Sequence, residues 1–154
     1  MTTGERPAAD DQPIVKDIYI DAPPRVVYTF LTKPGKVAQW IGTQADVDPQ
    51  PGGIVRIVAN AAGVIRGTYV ALEPNAKVAF TWGHEGEGQA VPVGSTVVEI
   101  TLAPDGGGTR LRLIHRGLTG ESRAEHDMRW GGYTSRIKIA AEGGTPGPDP
   151  FARA

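Results

Sequence analysis

The sequence predicts an α+β domain with a curved antiparallel sheet of about seven strands, two short helices after the first strand and a long carboxyl-terminal helix. Two observations carry this prediction. Short segments that alternate apolar and polar residues, separated by turn-forming residues, fill most of the chain. The stretch 122–144 instead repeats its apolar residues every three or four positions, which is the spacing of one helix face.

Length and composition indicate one folded unit. The chain has 154 residues, 40% of them hydrophobic, and a formal net charge of −1. A chain of this length buries roughly two thirds of its unfolded surface in a single core. We predict one domain over 14–142, a disordered tail over 1–13 and a flexible tail over 143–154, because both tails are rich in small or polar residues and Pro.

The composition also excludes or disfavours several classes of protein. The absence of cysteine excludes disulfides, thiol nucleophiles and thiolate metal sites. No apolar run approaches the length that spans a bilayer, and no cluster of Lys and Arg offers a footprint for nucleic acid. We expect a cytoplasmic protein that binds neither membranes nor nucleic acid.

The first ordered segment is a strand followed by two short helices. Alternation over 14–22 places three isoleucines on one side of this strand. Pro23 and Pro24 then end sheet pairing and suit the first turn of a helix, where their missing amides would have no partner. The second helix is predicted to begin at Pro34 and to end at Gly42.

Six further strands are predicted between Gly42 and Gly117. In the last of them, Leu111, Leu113 and His115 alternate with arginines, so these three side chains are expected to face the core. The connections are short and rich in Gly, Pro and Asn, which favours antiparallel pairing of neighbours. The predicted strands cover 43–48, 53–59, 64–72, 77–83, 95–103 and 109–116.

The long helix is predicted to begin at Ser122 and to stop at the glycine pair 143–144. Ser122 and Glu125 have the spacing of a capping box, in which each side chain binds a backbone amide of the first turn. One helix face is apolar or aromatic and is expected to pack on the sheet. It contains His126, Trp130, Tyr133 and Ile137.

Two glycines in the middle of this helix conflict with its helical pattern. Gly131 and Gly132 each cost about 1 kcal/mol relative to alanine in a helix interior. We expect the helix to approach the sheet closely there or to kink. The alternative is that the glycines leave room for a bound molecule beside Trp130 and Tyr133.

Several motifs together resemble a known superfamily. They are I-Y-I-D-A-P-P-R-V-V-Y-T-F-L near the start, G-T-Y-V-A-L-E-P-N-A-K-V-A-F-T-W in the middle and H-D-M-R-W-G-G-Y in the last helix. The chain from Ile14 to about Glu142 resembles the SRPBCC (START-like) superfamily, and within it the branch named for the C-terminal domain of the activator of heat-shock protein 90 ATPase. This resemblance implies the helix-grip fold, in which a curved antiparallel sheet wraps the last helix.

The resemblance also implies an apolar cavity between the sheet and the last helix. By position, six residues are expected to line or close it, and Ile137 on the same helix face is added to them. A closely packed aromatic core without a cavity is the alternative that composition alone leaves open. The six residues are Trp40, Phe80, Trp82, His115, Trp130 and Tyr133.

Catalytic and metal-binding motifs are weak. His84 is followed by Glu85 and Glu87, but the three histidines of the chain lie on separate elements, so we expect no metal and no cofactor. His115 is either a hydrogen-bonded structural histidine or a general base. The glycine-rich loop 83–94 is either a lid over the cavity or a plain flexible loop.

Three hypotheses about function follow. The first is a non-catalytic carrier of a small hydrophobic ligand such as a lipid, a polyketide or an aromatic compound. The second is a cyclase, dehydratase or hydrolase that uses His115 and Tyr133 as acid and base in the same cavity. The third is a chaperone-interacting module that uses the outer sheet face with Arg110 and Arg112. A protein partner or a homodimer is compatible with each of them.

Overall fold

The computed structural model describes residues 12–59 and 63–147, and the fold over these residues is the predicted α+β arrangement. No helix in these two ranges is long and apolar enough to cross a membrane. The seven strands are β1 (Ile14–Ile20), β2 (Gln44–Val47), β3 (Ile54–Val58), β4 (Val64–Glu73), β5 (Lys77–Trp82), β6 (Thr96–Asp105) and β7 (Gly108–Arg116). The helices are α1 (Pro24–Thr32), α2 (Pro34–Val37) and α3 (Gly120–Ala141).

The strands form one antiparallel sheet in the order β1-β7-β6-β5-β4-β3-β2. Strands β2 to β7 follow one another as a meander, and the last strand, β7, also pairs with the first strand, β1. His115, the second-last residue of β7, therefore lies between Ile14 on β1 and Val98 on β6. The predicted fold class is confirmed: the curved sheet and the long terminal helix form the helix-grip arrangement.

The sheet changes direction within β4. Its first half pairs with β3 and its second half with β5, and the register shifts between Tyr69 and Ala71. A side chain at Gly67 would overlap the carbonyl oxygen of Thr81, so glycine is required where these two backbones approach. The glycine thereby lets the sheet bend toward the helices.

The two short helices cover one end of the sheet. Val27, Phe30 and Leu31 form the buried face of α1, which begins with proline in its first turn. The predicted second helix is too long: α2 ends at Val37, and turns continue from there to Gly42. Its single turn has no side-chain cap, and the residues after it are held by Arg136, which donates to the carbonyls of Gln39 and Trp40.

The long helix begins earlier than predicted. Thr119 is the N-cap residue and makes no side-chain cap bond, whereas Ser122 lies inside the helix. The expected capping box is therefore wrong, and the carbonyl of Ser122 accepts a bond from the His126 ring instead. The predicted packing face is confirmed. Its buried residues are His126, Trp130, Tyr133, Thr134, Ile137, Ala140 and Ala141.

Gly131 does not serve a close approach of helix and sheet. A β-carbon added to it would meet no atom within 4 Å, and α3 continues as α-helix on both sides. The expectation of close packing at this position is therefore wrong. No close packing contact at Gly131 therefore offsets the stability that a glycine costs in a helix interior.

Replacing Gly131 with alanine is expected to raise the free energy of unfolding by about 1 kcal/mol. The added methyl group has free space, and alanine loses less backbone entropy in a helix interior. Urea unfolding followed by circular dichroism measures the change. A matched Gly67→Ala variant should be destabilised instead, and a Gly131→Ala midpoint at or below wild type would contradict the free space described at this position.

The predicted tails fall mostly outside the described residues. The disordered tail was predicted over 1–13 and the flexible tail over 143–154, and of these only 12–13 and 143–147 are described. Within the second segment, the Arg136 guanidinium donates to the carbonyl of Gly147. The domain boundaries at 14 and 142 stay predictions.

Candidate functional site

The interior between the sheet, α1–α2 and α3 encloses a small apolar cavity. Its volume is about 20 Å³, which is enough for one water molecule and far below that of a typical ligand pocket. Side chains from all three parts of the fold form its wall. They are Leu31, Val37, Trp40, Ile41, Val47, Val55, Ile57, Tyr69, Phe80, Trp82, Ile100 and Trp130.

The predicted site residues divide into two groups. Trp40, Phe80, Trp82 and Trp130 line this small cavity, and their role in ligand binding stays a prediction. His115, Tyr133 and Ile137 are fully buried but do not belong to its lining. The aliphatic residues of the wall were missed, although the alternation of Val55 and Ile57 along β3 was a usable signal.

The aromatic rings pack tightly against one another. Trp82 lies 5.1 Å from Trp130 and 6.4 Å from Phe80 between ring centroids, and Trp130 meets Tyr133 edge-on at 5.8 Å. These are ordinary distances for interacting aromatic pairs. A cavity of ligand size is therefore not confirmed. The rings pack closely, as in the alternative prediction of an aromatic core without a cavity.

One polar atom of the cavity-lining residues stands apart from the others. The indole nitrogen of Trp40 donates to the carbonyl of Phe30 at 2.7 Å, and that of Trp130 donates to His115. The indole nitrogen of Trp82 is buried and has no acceptor among residues 12–59 and 63–147. A buried donor without an acceptor costs about 1–3 kcal/mol, so this atom favours a bound acceptor.

A chain of hydrogen bonds fixes the state of His115. Its Nδ1 accepts from the Trp130 indole at 2.9 Å, so the ring proton lies on Nε2. Nε2 then donates to the Thr96 hydroxyl at 2.8 Å, and that hydroxyl donates to the carbonyl of Trp82 at 3.0 Å. Both ring nitrogens are therefore engaged within the protein.

Burial keeps this ring neutral. Desolvation, with a smaller contribution from the neighbouring His126 and His84 rings, lowers the pKa of His115 from 6.5 to about 3. With one lone pair bound to Trp130 and its only proton bound to Thr96, the ring has no free atom with which to accept a substrate proton. This geometry describes a structural histidine.

Folding brings all three histidines together around Trp82, which the sequence did not predict. The His84 and His126 rings lie 5.3 Å apart, and their Nε2 atoms are separated by 3.1 Å. The Nδ1 of His126 donates to the Ser122 carbonyl at 2.7 Å, so its Nε2 accepts the proton of His84 Nε2. The two histidines thus form one hydrogen-bonded pair.

The outer side of this pair is the floor of a polar cleft between the 83–95 loop and α3. The cleft has a volume of about 180 Å³. His84 and His126 are 7% and 3% exposed, whereas Glu125 at the rim is exposed and Arg129 half-buried. The remaining wall is formed by Gln89, Ala90, Val91 and Ser122.

Glu85 anchors the start of the loop. Its carboxylate binds the Arg56 Nε at 2.9 Å and the Arg66 guanidinium at 3.4 Å, and these bonds lower the pKa of the carboxyl group. Glu85 is therefore turned toward β3 and β4 and does not join the His84 ring as a second ligand. Among the described ranges, no three His, Cys, Asp or Glu side chains are placed to hold a metal ion.

The chain was compared with protein-family models, curated proteins and solved structures. Residues 21–142 match the family model described as "Activator of Hsp90 ATPase homolog 1-like protein". None of the curated proteins matches the chain.

Solved structures give the same result. An AHSA1-like protein from Rhizobium etli is 38% identical, with 90% of this chain and 87% of that chain covered and a TM-score of 0.70. The protein MLL2253 from Mesorhizobium loti is 27% identical, covers 82% and 94%, and gives a TM-score of 0.72. The Aha1 dimer from Colwellia psychrerythraea, 23% identical over 87% and 98% with a TM-score of 0.74, shares the fold.

Proposed function

The chain belongs to the activator of Hsp90 ATPase homolog 1-like family, and from its site geometry we propose that it is a cytoplasmic, non-catalytic protein that binds a small hydrophobic molecule. The ligand occupies the apolar core between the sheet, α1–α2 and α3. It carries one hydrogen-bond acceptor, which meets the indole nitrogen of Trp82.

The observation that carries this proposal is the buried Trp82 donor in an otherwise apolar wall. Neighbouring donors in this core have acceptors from the chain itself, as Trp40 and Tyr69 do. Ligand pockets of this kind combine apolar walls with a few placed polar groups. A carbonyl or ether oxygen at Trp82 satisfies the donor without adding charge to the interior.

Binding requires the core to open, because the enclosed volume is about 20 Å³. The segment from α2 to Gly42 is the part of the wall that we expect to move, and its movement breaks the bonds from Arg136 to the carbonyls of Gln39 and Trp40. It contributes Val37, Trp40 and Ile41 and has only one helical turn. Displacing it separates these three side chains from β2 and β3 while the hydrogen-bonded sheet stays intact.

The enzyme hypothesis receives no support from the geometry of His115. Its two ring nitrogens bind Trp130 and Thr96. A general base needs a free ring nitrogen within hydrogen-bond reach of the substrate proton, and His115 offers none. Binding without turnover is therefore the simpler function for this core.

A binding experiment tests the proposal. The freshly purified protein is analysed by native mass spectrometry and by organic extraction, and then offered a panel of lipids, polyketides and aromatic ketones. We expect either a co-purifying molecule or uptake of at least one panel member, released by solvent without chemical change. Absence of any bound species across the panel would overturn the carrier function.

Trp82→Phe is expected to weaken binding of acceptor-bearing ligands by about two- to tenfold, the value of one net hydrogen bond. Its effect is measured by titration with 1-acetylnaphthalene and with 1-ethylnaphthalene, which lacks the oxygen. Only the first ligand should lose affinity. Trp40→Phe is the matched control, because its indole already binds Phe30 and its loss should not discriminate between the two ligands.

The family description favours a second candidate, interaction with a chaperone. Arg110 and Arg112 on β7 are half-exposed on the outer sheet face, where they pair with Asp105 and Asp17. A pull-down with the chaperone ATPase that is lost on reversing both arginine charges would support this surface. One relative of the same fold is described as a dimer, so light scattering at several protein concentrations tests a homodimer as well.

A further inference from the structure

The polar cleft above the His84–His126 pair is a separate place from the apolar core. The two sites share no lining residue, although the Trp82 ring in the core wall touches both histidine rings of the cleft floor. A molecule in the cleft therefore meets charged and polar side chains. The carrier function assigned to the core does not use any of them.

Arg129 supplies the cleft with a guanidinium group that no described residue binds directly. Its guanidinium lines the cleft, is half-buried and makes no hydrogen bond or ion pair with residues 12–59 or 63–147. Other arginines of the same helix are engaged: Arg123 binds the carbonyl of Gln12 and Arg136 that of Trp40. A planar, partly desolvated guanidinium favours a planar carboxylate bound through two parallel hydrogen bonds.

The charges of the cleft balance before any ligand enters. Glu125 contributes one negative charge and Arg129 one positive charge, and both act on the His126 ring from the same helix. His115 faces His126 from β7 as a neutral ring at 5.5 Å, and Glu85 is occupied by Arg56. An incoming carboxylate therefore leaves the cleft with one uncompensated negative charge.

The histidine pair is able to supply the missing positive charge. In the neutral pair a single proton lies between the two Nε2 atoms, and His126 also donates from Nδ1 to Ser122. One added proton makes His126 an imidazolium that donates to both Ser122 and His84 Nε2, while His84 carries its own proton on Nδ1. The hydrogen bond between the rings is kept in both states.

We infer that the cleft binds a small organic acid as its carboxylate, held by Arg129, and that the His84–His126 pair takes up one proton as the acid binds. The volume of about 180 Å³ suits a molecule of the size of benzoate. Glu125 at the rim repels a second negative charge, so a monoanion is preferred to a phosphate dianion. Proton uptake keeps the half-buried cleft neutral when it is filled.

Calorimetric titration with sodium benzoate tests this site, with neutral benzamide and inorganic phosphate as comparison probes. We expect benzoate to bind more tightly than either and its affinity to fall as the pH is raised from 6 to 8, by up to about tenfold per unit. Titrations in buffers of different ionisation enthalpy should show net uptake that approaches one proton per benzoate bound. The apolar probe 1-ethylnaphthalene should not compete with benzoate, which separates the cleft from the apolar core.

Variants of the cleft charges make the test specific. Arg129→Gln should weaken benzoate binding about tenfold or more, while Arg110→Gln on the outer sheet face should not change it. Glu125→Gln leaves the cleft positive without a ligand, so it should bind benzoate more tightly and with less proton uptake. Equal binding of benzoate and benzamide, tighter binding of phosphate, no proton uptake, or an unchanged Arg129→Gln affinity would each overturn the assignment.

Discussion

Replacing Trp130 with alanine is expected to lower the free energy of unfolding by about 5 kcal/mol or more. Trp130 is 1% exposed, and truncation of such a buried aromatic side chain alone costs about 3–5 kcal/mol. The variant also removes the donor to His115 Nδ1, which leaves a buried acceptor without a partner at a further cost of about 1–3 kcal/mol. Because domains of this size are stable by only about 5–15 kcal/mol, much of the variant should be unfolded in water. Chemical denaturation measured by tryptophan fluorescence and circular dichroism gives the change.

Two companion variants separate the contributions. Trp130→Phe keeps an aromatic ring but removes the indole donor, so it should lose less stability than the alanine variant and still more than a surface change. Met128→Ala, on the same helix at a position 61% exposed, should stay within about 0.5 kcal/mol of wild type. A Trp130→Ala protein with the denaturation midpoint of wild type would show that the Trp130 ring does not stabilise the packing of α3 on β7.

The fold was predictable because the buried side of each strand and helix can be recognised from the local spacing of its apolar residues. His115 alternates with arginines along β7, and its burial on the inner face of the sheet follows from that pattern. The face of α3 that holds Trp130 and Ile137 follows equally from a three- and four-residue spacing. The start of α3 was misplaced because Ser122 and Glu125 imitate a capping box, whereas the backbone turns into helix at Gly120 with a positive φ of 55°.

The site was less predictable, because its defining contacts join distant parts of the chain. His84 and His126 are 42 residues apart in the sequence. His84 lies in the loop between β5 and β6, and the tertiary fold places this loop against His126 on α3. The volume left between Trp82, Trp130 and Phe80 also has no local signature, since the same residues form either a cavity wall or a filled core. Which of the two occurs depends on ring orientation across three elements.

The protein is expected to lose about 2 kcal/mol of stability between pH 7 and pH 5 through His115 alone. Burial lowers the pKa of this ring in the folded protein to about 3, whereas an unfolded histidine titrates near 6.5. The unfolded state therefore binds more protons over the whole interval from 6.5 to 3. A group with a lowered folded pKa contributes stability that is complete above the unfolded pKa and is lost as the pH falls toward the folded one. The lowered pKa of His126 acts in the same direction.

Urea unfolding at half-unit steps from pH 7 to pH 5 measures this loss above the range in which the carboxylates titrate. His115→Gln removes the titrating ring while it keeps an amide donor for Thr96. Its stability is lower at pH 7 but should decline less steeply with acid, by up to about 1.4 kcal/mol per pH unit. Parallel pH profiles for the two proteins would mean that the His115 ring titrates normally in the folded state. The network of Trp130, His115 and Thr96 would then not be the neutral, closed arrangement from which the structural role of this histidine follows.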